Sequence, residues 1–66
     1  MDVKYPEIEV QLLGEDGNAF WILGRVRAAL LHAKVDIAEI EAFMEEATAG
    51  SYDELLQTVM RTVTVL

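Results

Sequence analysis

The stretch Leu12-Leu13-Gly14-Glu15-Asp16-Gly17-Asn18-Ala19-Phe20 decides the fold, because the hydrophobic period changes across it from that of a strand to that of a helix. Before it, Ile8, Val10 and Leu12 alternate with Glu7, Glu9 and Gln11, the pattern of a half-buried strand over Glu7 to Leu13. Pro6 stands just ahead, where a missing N–H does a ladder least harm. After the stretch, Ala19, Leu23, Val26, Leu30 and Ala33 recur at helical spacing and make one apolar stripe along a helix running to about Lys34. The stretch itself therefore reads as strand, tight turn and helix start. Gly14 and Gly17 supply backbone freedom, and Asp16 and Asn18 carry side-chain oxygens able to accept first-turn N–H groups.

Working outward, Phe20, Trp21, Ile22, Ala28 and Leu31 widen the apolar surface of the first helix beyond one stripe. Such a helix is expected to be contacted on more than one side, by a sheet and by other helices or a second subunit. Asp36-Ile37-Ala38-Glu39 has the capping-box pattern and opens a second helix. Its buried stripe is Ile37, Ile40, Met44 and Ala47, extended by Phe43, with Glu39, Glu41, Glu45 and Glu46 left for solvent. Gly50, in the left-handed conformation, is expected to close it. Ser51-Tyr52-Asp53-Glu54 repeats the capping box, and a third helix follows with Tyr52, Leu55, Leu56, Val59 and Met60 on its apolar face. From Thr62 to Leu66 the residues are β-branched or apolar, a strand composition. The order is β-α-α-α-β, a single α+β domain over residues 1–66 in which the two terminal strands pair. A two-stranded sheet leaves its outer edges open. Edge pairing across a two-fold axis into a four-stranded sheet makes a homodimer the expected state.

Composition narrows the functional classes. The 66 residues contain no cysteine, which removes disulfides and thiolate metal sites. A chain this short buries only ~60% of the surface its unfolded form exposes. With 53% apolar residues it therefore has more apolar surface than a small monomer hides easily. Twelve acids against five bases give a net charge of −7, which opposes direct binding to nucleic acid and to anionic membranes. No signal-peptide core or membrane-length apolar run is present, since Arg25 and Arg27 interrupt the longest one. A cytoplasmic location is the expectation.

Each chemistry-bearing group has a structural role to weigh against a functional one. Glu15, Asp16 and Asn18 beside a helix start could hold a cation or small ligand, but the loop lacks the full ligand ladder of an EF-hand, and a capped turn accounts for it. The helices flanking Gly50 resemble a helix-turn-helix in outline, yet Tyr52 to Met60 carries Asp53 and Glu54 and no base to face a DNA groove. His32 is the only histidine, suited to a helix C-terminus, and has no ligand-spaced companion. Ser51 lacks a nucleophile-elbow setting. No catalytic residue, metal or cofactor is called for. Arg25, Arg27 and Lys34 cluster on the first helix while four glutamates lie on the second. Trp21 beside Arg25, together with Glu45 and Glu46, is the candidate partner-binding set.

The pattern Tyr5-Pro6-Glu7-Ile8-x-Val10-x-Leu12-x-Gly14-Glu15-Asp16-Gly17-Asn18-Ala19-Phe20, continued by Phe43-x-x-Glu46-Ala47-Thr48-x-Gly50-x-Tyr52-Asp53-x-Leu55-Leu56, resembles a family of short uncharacterised bacterial and mobile-element proteins. The resemblance implies a free-standing small protein, leaves element maintenance or defence evasion open as roles, and carries over no catalytic residue. The functional expectation is a non-catalytic protein–protein interaction module that self-associates and offers acidic faces to a basic protein surface. An acidic mimic of nucleic acid that inhibits a nucleic-acid-binding protein, and a small-ligand or cation module at residues 14–18, are the alternatives.

Overall fold

The computed structural model describes residues 2–12 and 18–66. Strand β1 spans Tyr5–Val10, helix α1 Ala19–His32, helix α2 Ile37–Ala47, helix α3 Tyr52–Thr62 and strand β2 Val63–Val65. The order is β-α-α-α-β, as the pattern predicts. The two strands form one parallel sheet, so all three helices serve as the crossover that parallel pairing requires.

The ladder is short and irregular. Tyr5 pairs with Val63, but Glu9 pairs with Thr64 and Val10 with Val65, so β1 is bulged between Tyr5 and Glu9. Pro6 lies inside the strand and not ahead of it, at the bulge, where no ladder donor is missed. The Thr64 hydroxyl donates to the Pro6 carbonyl at 2.8 Å and closes the gap. Lys4 N–H to the Arg61 carbonyl at 2.9 Å and Leu66 N–H to the Val10 carbonyl at 3.0 Å extend the pairing at both ends.

Ile8, Val10 and Val63 point inward and Glu7, Glu9 and Gln11 outward, so the sheet has one packed face and one solvated face. Helix α1 supplies Ile22, Leu23, Val26 and Leu30 to the core, α2 supplies Ile40, Phe43 and Ala47, and α3 supplies Leu55 and Val59. Val26, Val59 and Val63 are fully enclosed. Four residues expected in apolar stripes are solvent-facing instead: Ala33, Ile37, Tyr52 and Met60. Each sits at an end of its stripe, where a short helix leaves the curved core. Thr58 is buried in their place on α3, its hydroxyl satisfied by the Glu54 carbonyl at 2.9 Å.

The helix ends divide into expected and unexpected devices. Asn18 accepts from Trp21 N–H at 3.1 Å and caps α1. Ser51 and Glu54 form the full capping box of α3. Asp36 stands at the N-cap of α2 but makes no cap bond, and Glu39, its expected partner in the box, is hydrogen-bonded to Lys4. Gly50 does not take the left-handed conformation; Lys34 does, at φ 64°. Lys34 N–H bonds the Leu31 carbonyl and Val35 N–H the Leu30 carbonyl, both at 3.0 Å, which is a Schellman motif ending α1. Val35 then packs against the core beside Leu30 and fixes the turn into α2.

Candidate interaction surface

Helix α1 has two flanks once its core stripe is buried. On the flank toward β1, the Arg25 guanidinium lies over the Trp21 ring, 5.2 Å from its centroid, and Arg25 Nε donates to the Gln11 carbonyl at 3.2 Å. Trp21 is half-buried against the core, so its ring is both a packing element and the base of an exposed cation–π pair.

Phe20, Gly24, Arg27 and Leu31, spaced i, i+4, i+7 and i+11, share a second flank of α1, from which Arg27 reaches the space beside α2. Phe20 is 87% exposed and Leu31 38% exposed, and a Cβ built at Gly24 meets nothing within 4 Å. Between this flank and α2 runs an open groove of about 470 Å³. Arg27 stands on its α1 bank, Ile40 and Met44 form its floor, and Ile37, Glu41 and Glu45 stand on its α2 bank. Ile37 is 54% exposed there. The result is an apolar strip bordered by one base and two acids. Among the described residues, Arg27, Glu41 and Glu45 form no ion pair.

The four residues of the expected partner-binding set are not brought together. Trp21 and Arg25 lie on the β1 flank, Glu45 on the groove bank, and Glu46 on the far side of α2, where its carboxylate is 3.9 Å from Arg61. Among the described residues the bases of α1 and the glutamates of α2 form no direct pair; the ion pairs of α2 run from Glu39 to Lys4 and from Glu46 to Arg61. The hydrogen bond from Lys4, then its charge, lowers the Glu39 carboxyl below the usual range, and the same two causes raise Lys4. Of the 14–18 ligand loop, Glu15 and Asp16 lie outside the described residues, and Asn18 is engaged as the α1 N-cap. Phe20 and Ile37, which reading for buried stripes places in or beside the core, are the exposed anchors that such reading misses. The spacing Phe20, Gly24, Arg27, Leu31 is the signal that finds Phe20, because it forms a second stripe beside the buried one; Ile37 has no such signal.

These elements define a small α+β domain with a solvated acidic sheet face and an apolar helical groove. Among the described residues, no three His, Cys, Asp or Glu side chains gather to hold a metal ion, and no helix is long and apolar enough to cross a membrane. Comparison of the chain with protein families, curated proteins and solved structures finds no match.

Proposed function

We propose that this protein is a non-catalytic interaction module that self-associates and presents its acidic surface to a basic protein. The observation that carries the reading is the apolar groove between α1 and α2, floored by Ile40 and Met44 and edged by the exposed Ile37, with the exposed Phe20 and Leu31 at helical spacing from its Arg27. Large apolar groups left together on a surface mark association sites more often than isolated ones do. The outward row Glu7 and Glu9 on β1, within a chain of net charge −7, favours a basic partner on a separate face.

The test is capture from nuclease-treated lysate of the source cell with immobilised wild-type protein and with a Glu7→Gln/Glu9→Gln variant, at low and high salt. A protein with a basic surface that is retained by wild type at low salt, and lost both in the variant and at high salt, is the expected result. Equal capture by wild type and variant at both salts would remove the acidic face from the reading.

A further inference from the structure

We infer that the groove between α1 and α2 is a two-fold seam that binds the same groove of a second copy of this chain. The inference deepens the proposed self-association by naming its surface. It also moves the seam away from the open sheet edges.

An isologous interface uses one patch twice, so the patch must complement itself. This groove does. Arg27 stands on one bank and Glu41 and Glu45 on the other, with the apolar strip between them. A two-fold axis through the strip lays α1 of each copy over α2 of the other. Arg27 then faces Glu41 and Glu45 of the partner subunit, twice, while the Ile37, Ile40 and Met44 strips of the two copies meet. Within the chain these charges have no partner among the described residues, so docking satisfies groups that are otherwise only solvated. The open space at Gly24 lets a second backbone approach α1 closely.

Size and charge are compatible with this arrangement. A standard interface removes ~800 Å² per partner, roughly one sixth of the 4590 Å² surface, and the molecule is 27 × 23 × 23 Å. One face of such a body is enough. The net charge of −7 on each copy opposes association at long range, but solvent-exposed charges farther than a Debye length of ~8 Å are largely screened at physiological salt. The distant acids are therefore largely screened, while the pairs at the seam act at contact range. The edge strands are weaker candidates, because β2 offers only three residues and β1 is bulged at Pro6.

The experiment is a charge swap read by sedimentation equilibrium, with circular dichroism as a folding control. Wild type is expected to sediment as two 7.4 kDa chains. Arg27→Glu alone sets acid against acid, and Glu41→Arg/Glu45→Arg alone sets base against base. Each is expected to raise the dimer dissociation constant by at least ~10-fold. Mixed in equal amounts, the two variants are expected to recover the dimer, because every reversed charge then meets its opposite. Recovery also shows that neither variant fails to fold. A wild type that stays monomeric, a mixture that does not recover, or a dimer that persists in either variant would overturn the inference. Persistence would leave self-association standing on another surface. A monomer that still captures a basic protein would leave the interaction-module reading standing.

Discussion

Lys34 holds the one left-handed backbone among the described non-glycine residues, and it does so because the Schellman bonds and the packing of Val35 beside Leu30 require it. A side chain with a Cβ in this region costs ~1 kcal/mol or more. Lys34→Gly is therefore expected to stabilise the fold by up to ~1 kcal/mol, measured as a rise in the urea midpoint at unchanged slope. Burial separates two other residues of α1. Leu30 is 1% exposed and Phe20 87%, so Leu30→Ala should cost ~2–5 kcal/mol while Phe20→Ala stays within ~0.5 kcal/mol. Equal losses in the two denaturation curves would contradict the assigned faces. Which stripe of α1 faces the core was legible in the sequence, since Leu23, Val26 and Leu30 recur in phase and are buried. That Phe20 faces water was not, because its hydrophobicity says nothing about whether another element arrives to cover it. The rule that glycine closes helices pointed to Gly50, whereas the chain obtains its left-handed turn at Lys34 through tertiary packing.

At the scale of elements, α2 and α3 begin with the same sequence signature and use it differently. Ser51 and Glu54 exchange both bonds of a capping box, whereas at α2 the Glu39 carboxylate is drawn away to Lys4 and Asp36 caps nothing. Removing the working cap by Ser51→Ala should cost ~0.5–2 kcal/mol, and Asp36→Ala distinctly less, in thermal melts of the two variants. Gly50→Ala belongs with the first of these, because the new Cβ falls on the Glu54 carboxylate and pushes it off Ser51 N–H. The link from Lys4 to Glu39, which ties the chain before β1 to α2, has its own pH signature. Glu39, with its carboxyl lowered, contributes stability above the ordinary carboxylate range and loses it as pH falls through the folded value. Lys4, raised, contributes below the ordinary lysine value and loses it as pH rises through the folded value. An NMR titration should therefore find Glu39 titrating below the ordinary glutamate value, and Glu39→Gln should lower Lys4 toward its ordinary value. The sequence displays capping motifs but not competition for them, because Lys4 and Glu39 are 35 positions apart.

For the whole molecule, composition and period supplied the element order and the pairing of the terminal strands, while the direction and register of that pairing came from the packing of three helices. Val63 is fully buried and pairs with Tyr5 across nearly the length of the chain. A chain ending at Thr62 loses that side chain and the only strand that pairs with β1 among the described residues, so its unfolding should lose cooperativity, seen as a broad, low-amplitude melt. Retention of a sharp transition would mean that the helices are self-sufficient. The parallel ladder has a mechanical consequence as well. Pulled from its two ends, this chain would load β1 from its beginning and β2 from its end, so the strands would slide in shear and their cross-strand bonds would break together, where an antiparallel pair would unzip one bond at a time.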